Sequence, residues 1–212
     1  MTLDDARKHY IDYFTEKIEQ FGASPQGVDY NSPTAQDMRF EQLVKIIRPE
    51  QPLSIIDYGC GYGALFDFLS RKNWTFEYYG FDLIEKMIAA GQAAHKGFPN
   101  AHFSTCEDEL PTADYLVAGA IFNNKFEADT EAWTKMILET LQRMDRLCTK
   151  GFSFNMLTSY SDADRMAQRP DLYFGDPLFF FDYCKRQFSR NVALLHDYGI
   201  YDFTILVRKA VA

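Results

Sequence analysis

Cysteine is scarce and unpatterned in this chain. The four present, Cys60, Cys106, Cys148 and Cys184, form no C-x-x-C pair, and none sits at ligand spacing from a histidine. A disulfide framework and a zinc site are therefore unsupported, and no metal is expected. Basic residues are outnumbered, 22 Lys+Arg against 30 Asp+Glu, for a net charge of -8. That balance lacks the basic surface a nucleic-acid backbone requires, so no nucleic-acid partner is expected. No apolar run approaches the ~18 residues of a membrane span, and the opening "MTLDDARKHY" is too acidic and polar for a secretory leader. A reduced, cytoplasmic protein without a membrane partner is the expectation. Repeats and low-complexity tracts are absent too.

Aromatic residues, by contrast, are plentiful: 19 Phe and 13 Tyr supply large burial areas and possible pocket walls. The composition, 47% hydrophobic and 25% charged, is that of a folded chain. At 212 residues it suits one domain better than two. Within it, residues 1–52 read as a helical cap and 53–212 as the binding region.

Two helices are predicted first. "DDARKHYIDYFTEKIEQFG" carries Tyr10, Phe14, Ile18 and Phe21 on one face, and "TAQDMRFEQLVKII" carries Met38, Leu43, Ile46 and Ile47. Strands and helices then alternate. The predicted strands are "LSIIDY", "FEYYGFDL", "AHFST", "YLVAGAIF" and "GFSFNMLT"; the helices between them include "ALFDFLSRK", "EKMIAAGQAAHK" and a long amphipathic one over Thr130–Cys148, with Thr130 as its cap. Residues Ser159–Gly175 read as irregular. Asp176 and Pro177 then start a helix, and "NVALLH" and "YDFTILVRK" suggest a terminal hairpin. Such alternation predicts an α/β fold, a doubly wound sheet whose ligands bind at the carboxyl ends of the strands.

The segment "SIIDYGCGYGAL" stands at the first strand-to-helix junction. Gly59, Gly61 and Gly63 allow a tight turn and close approach of a ligand to bare backbone, while the helix start supplies amide donors. Asp82 ends the second strand 19 residues after Gly63, where a carboxylate accepts ribose hydroxyls. Two cofactor classes use this plan. The dinucleotide pattern G-x-G-x-x-G/A fits Gly59, Gly61 and Ala64, which would imply an NAD(P)-dependent oxidoreductase. The alternative places an acidic residue, here Asp57, just before G-x-G-x-G. It is favoured by the preceding helices, by the acidic "CEDE" after the third strand, and by the terminal hairpin.

With "DYGCGYG", Asp82, "TCEDELP" and "ADYLVAGAIFN", the sequence resembles the class I S-adenosylmethionine-dependent methyltransferases of small-molecule type, from Ser54 to the C-terminus. The resemblance implies a mostly parallel seven-stranded Rossmann-like sheet with its last strand antiparallel, behind an N-terminal helical extension. S-adenosyl-L-methionine is the implied cofactor. Asp57, Gly59, Cys60, Gly61 and Gly63 form its first motif, Asp82 and Leu83 the ribose segment, Cys106, Glu107 and Asp108 the adenine segment, and Ala120 the fourth-strand motif. Arg39, in "RFEQL", would pair with the cofactor carboxylate.

Methyl transfer from a sulfonium chiefly requires alignment of the acceptor and exclusion of water, so no catalytic motif need be visible. The planar-amine signature of the family is absent, which points away from adenine, glutamine or DNA. Candidate acceptor contacts are Phe122, Asn123 and Lys125 after the fourth strand. Tyr160, Arg165, Arg169, Tyr173 and Asp176 in the long segment Leu157–Asp176 are further candidates. His196 is the candidate base. A non-catalytic S-adenosylmethionine-binding protein on the same fold is the other alternative.

Overall fold

The structure, a computed structural model, describes residues 3–49 and 52–209. Seven strands form one sheet: β1 (Leu53–Tyr58), β2 (Phe76–Phe81), β3 (Ala101–Ser104), β4 (Ala113–Ala118), β5 (Cys148–Leu157), β6 (Asn191–Leu195) and β7 (Asp202–Arg208). Their order is β3-β2-β1-β4-β5-β7-β6, with β7 antiparallel to both neighbours and the first five strands mutually parallel. Helices α1 (Leu3–Phe21) and α2 (Pro33–Leu43) precede the sheet. Then come α3 (Ala64–Ser70), α4 (Glu85–Ala94), α5 (Thr130–Arg146), α6 (Ala163–Gln168) and α7 (Pro177–Gln187).

Both faces of the sheet are covered, as the near-continuous apolar strands require. Adjacent residues of β1 alternate between two cores. Ile55 packs with Phe40 and Leu43 of α2 and Leu65, Phe66 and Leu69 of α3. Ile56 and Tyr58 pack instead with Ile137, Leu141 and Met144 of α5.

Several boundaries differ from those the sequence predicts. The fourth strand stops at Ala118, because Ala120 adopts φ +59 and turns the chain out of the sheet. Asp129, not Thr130, caps α5 by accepting from the amides of Glu131 and Ala132. Asp176 does cap α7, with Pro177 in the first turn. The buried stripe of α2 uses Gln36 and Phe40 in place of Met38, and Phe21 of α1 is exposed.

Arg39 has a role that its local sequence does not reveal. Its Nε and Nη2 donate to the two carboxylate oxygens of Asp202 at 2.7 and 2.9 Å, and its Nη1 donates to Ala35 O. Asp202 is 1% exposed and also accepts from Asn155 Nδ2 at 2.7 Å. Asn155 Oδ1 in turn accepts from the amide of Ala120. The guanidinium expected to meet a cofactor carboxylate is instead spent on a buried carboxylate. This network ties α2 to β7, β5 and the turn after β4. Removing one member of a buried pair leaves the other charge uncompensated, at a cost of roughly 3–5 kcal/mol. Asp202→Ala is therefore expected to lower stability by about that amount in urea unfolding; an unchanged midpoint would contradict this account of how α2 is held.

Candidate functional site

The first strand-to-helix junction folds back against the end of β2. The parallel register pairs Tyr58 with Phe81, so β1 and β2 end side by side. The amides of Gly59 and Cys60 both donate to Phe81 O, at 2.7 and 2.9 Å. Gly61 N donates to Asp82 Oδ2 at 2.8 Å, and Ile84 N to Asp82 Oδ1 at 3.0 Å. Such a reversal needs left-handed backbone. Gly59 has φ +83, and a Cβ there would stand 2.2 Å from Ile121 Cγ2. Gly63, at φ +90, is left-handed too, and its Cβ would fall 2.8 Å from the Phe103 ring.

Two buried carboxylates flank this turn. Asp57 is 4% exposed and accepts a 2.6 Å hydrogen bond from Tyr78 Oη. Burial, offset in part by Tyr78 and reinforced by the neighbouring charge of Asp82, raises its pKa to about 7. Burial likewise raises Asp82 to about 6, against the opposing pull of the Gly61 and Ile84 amides. The Cys60 thiol is held well up, chiefly by burial. Further along, Tyr58 Oη donates to Glu107 Oε1 at 2.9 Å, and Arg143 Nε lies 3.4 Å from the same oxygen.

A cleft runs over the turn and divides into two lobes that meet at Tyr10, Gly59, Asp82 and Ile121. One lobe, about 590 Å³ including space open to solvent, lies between the glycine turn and the N-terminal segment, whose Tyr10, Phe14, Val28 and Tyr30 form its outer wall. Gln36, Phe40, Asp57 and Tyr62 complete it. The other, about 1280 Å³ including space open to solvent, is bounded by Leu83, Glu107 and Phe122 and by Trp133, Thr140 and Arg143 of α5.

The structure gathers many of the expected residues here. Asp57, Gly59, Cys60, Gly61, Asp82 and Ala120 line the smaller lobe, and Leu83, Glu107 and Phe122 the larger. Cys106 and Asp108 are exposed and line neither lobe, which leaves Glu107 alone from the acidic segment. Gly63 serves packing beneath the turn. Asn123 and Lys125 hold backbone: Asn123 Oδ1 accepts from Leu157 N, and Lys125 Nζ donates to Phe126 O and Ala128 O.

The segment expected to form the acceptor pocket lines neither lobe. Tyr173 is buried, with its hydroxyl 2.9 Å from Thr134 Oγ1. Tyr160 is 67% exposed and packs on the exposed His196 beside the β6–β7 edge. Arg169 pairs with Asp171, Arg165 lies over Tyr201, and Asp176 is occupied as a helix cap. The segment also contains a helix of its own, α6, and is stitched down by bridges Thr158↔Gly175 and Asn124↔Leu172. Sequence reasoning missed Tyr10 and Phe14, which look like core positions of an amphipathic helix, and the α5 residues Trp133, Thr140 and Arg143. Helical spacing was their only signal, and it does not say what covers the stripe.

Because both carboxylates titrate later in the folded chain than in the unfolded one, the folded state holds more protons between about pH 4 and 7. Stability from these groups therefore falls as pH rises through that window. Asp57→Asn, which keeps an acceptor for Tyr78, is expected to raise the melting temperature at pH 8 and change it little at pH 5. A loss of stability at pH 8 would show that the ionised carboxylate is stabilising instead.

No established family profile matches the chain. Over 167 residues it is 46% identical to Rv1506c of Mycobacterium tuberculosis, provisionally named a methyltransferase; the match covers 79% of this chain and 99% of that one. The fold is that of magnesium protoporphyrin IX methyltransferase from Synechocystis PCC 6803, solved with bound S-adenosylmethionine (TM-score 0.64, 14% identity, 97% of both chains). It is also that of the N-methyltransferase NodS from Bradyrhizobium japonicum WM9, solved with S-adenosylhomocysteine (TM-score 0.65, 11% identity, 95% of this chain and 98% of that one). With its mycobacterial relative the chain belongs to a methyltransferase family, and it has the fold of the S-adenosylmethionine-dependent methyltransferases.

Proposed function

We propose that the protein transfers a methyl group from S-adenosylmethionine to a small-molecule acceptor. The observation that carries this reading is the continuity of the cleft: two lobes of unlike character meet over the glycine turn, with Asp82 between them. The larger lobe suits adenosine. Asp82 would accept from ribose hydroxyls, Leu83 and Ile121 offer apolar surface to the base, and Glu107 offers a carboxylate at its edge. The smaller lobe suits the methionyl group, whose ammonium would face Asp57. The bare backbone at Gly59 fits a ligand that must approach closely. Solved relatives of the same fold hold S-adenosylmethionine or S-adenosylhomocysteine, which supports the reading.

Bound there, the cofactor supplies an electrophilic methyl group on a sulfonium, whose leaving group is a neutral thioether. The chain's own contribution is to hold the acceptor in line with that methyl and to keep water out. The aromatic wall from α1 and the residues following it does the second. Carboxylates facing the smaller lobe favour the positive sulfonium over a neutral product.

Isothermal calorimetry is expected to show S-adenosylmethionine and S-adenosylhomocysteine binding at micromolar levels and NAD not binding. Asp82→Ala should weaken cofactor binding by on the order of 2–4 kcal/mol, about 30-fold or more, through loss of two charge-assisted hydrogen bonds. Tight NAD binding without sulfonium binding would replace this reading with the oxidoreductase one. Cofactor binding without transfer to any acceptor would favour a sensor.

A further inference from the structure

The methionyl group assigned to the smaller lobe carries a carboxylate as well as an ammonium, so an inference about how that lobe binds it rests on the methyltransfer reading above. The ammonium has Asp57. The carboxylate has no cation: among the described residues no lysine, arginine or histidine lines the lobe. Arg39 of α2 is taken, with Nε and Nη2 on the two oxygens of Asp202 and Nη1 on Ala35 O. The glycine turn is spent as well. The amides of Gly59 and Cys60 go to Phe81 O, that of Gly61 to Asp82 and that of Gly63 to Cys60 O.

Two neutral donors remain on the α2 side of the lobe. Gln36 is 6% exposed and stands three residues before Arg39, on the same face of the helix. Its Oε1 accepts from Tyr62 Oη at 3.5 Å, which leaves its Nε2 without an acceptor among the described residues. Tyr30 Oη is without a partner among them too. The Tyr30 ring lies 5.2 Å from the Arg39 guanidinium carbon, and its Oη lies 3.5 Å from where a side chain on Gly119, at the end of β4, would begin. Burial holds the Tyr30 phenol well above its usual pKa, so it stays protonated and able to donate. Neither atom is sealed from the lobe, which both residues line. A zwitterionic head brings its own counter-charge, since its ammonium and carboxylate share one carbon. The carboxylate then needs hydrogen bonds rather than a second cation, and bonds to an ionised acceptor are the strong kind.

We propose that Gln36 Nε2 and Tyr30 Oη donate to the cofactor's carboxylate, the role the family resemblance implies for Arg39, while Asp57 faces the ammonium. Arg39 acts at one remove. Pinned by Asp202, its guanidinium supports the Tyr30 ring and fixes the helix that presents Gln36. The lobe then reads the whole amino-acid head of the cofactor. A ligand without the carboxylate forfeits two hydrogen bonds and leaves two donors bare in a nearly closed site.

Calorimetry with two ligands tests this: S-adenosylhomocysteine and its decarboxylated analogue, which keeps the amine. The parent chain is expected to bind S-adenosylhomocysteine about tenfold or more tightly than the analogue. Gln36→Leu and Tyr30→Phe should each weaken S-adenosylhomocysteine about tenfold and leave affinity for the analogue within about twofold. Gln36→Glu, which sets a carboxylate against the ligand's own, should weaken S-adenosylhomocysteine further and spare the analogue. A merely structural role would weaken both ligands alike, and that result overturns the proposal. So do variants indistinguishable from the parent, and a parent that binds the two ligands equally. Should Gln36→Leu fail to fold, Tyr30→Phe, which keeps the ring over Arg39, decides the matter by the same comparison. Failure of the parent chain to bind S-adenosylhomocysteine would instead sink the methyltransferase reading itself.

Discussion

The hydrogen bond from the Gly61 amide to Asp82 Oδ2, 2.8 Å long and fully buried, is the contact on which the site depends. It joins the turn after β1 to the residue after β2, and it forms because the parallel register ends the two strands together at Tyr58 and Phe81. With Gly59 and Cys60 also donating to Phe81 O, the chain has no room to continue as a strand. It must reverse through left-handed conformations, and glycine follows at those positions. Holding Asp82 in place costs desolvation, seen in its raised pKa. The same burial makes it an acceptor in a low-dielectric cleft, where a hydrogen bond to a ligand hydroxyl is worth most.

A second anchor sets the opposite wall. Asp202, on the antiparallel β7, receives Arg39 from α2 and Asn155 from β5, and Asn155 in turn fixes the amide of Ala120. Ala120 is a non-glycine residue with φ +59, and that hydrogen bond helps to hold it there. The turn it creates places Ile121 over Gly59, so that the fourth strand's exit and the first strand's exit enclose the junction of the two lobes. The antiparallel strand thus does more than complete the sheet: it supplies the carboxylate that docks α2 beside the cleft.

Much of this was legible in the residues. Alternating apolar segments foretold the sheet, and "DYGCGYG" followed by Asp82 foretold the turn and its carboxylate, because such reversals demand glycine locally. The capping pair Asp176 and Pro177 read correctly for the same reason: the signal and its cause lie within three residues. What escaped was non-local. The partner of Arg39 lies 163 residues away, so its guanidinium looked free for a ligand. Tyr10 and Phe14 sat on an apolar stripe and read as core, since spacing cannot tell a buried face from one that roofs a cavity. The polar, aromatic stretch from Leu157 to Asp176 looked like a substrate loop by its length and composition. Its side chains are instead satisfied among themselves and by α5, as with Tyr173 on Thr134 and Arg169 on Asp171.

The central claim is that a single cleft, divided at Gly59, Asp82 and Ile121, holds the cofactor. Amide hydrogen exchange with and without S-adenosylhomocysteine tests it most directly. The account predicts slowed exchange at residues 59–64, 82–84 and 119–122 together, with no change across residues 158–175. Protection confined to that later segment, with the glycine turn unaffected, would contradict it.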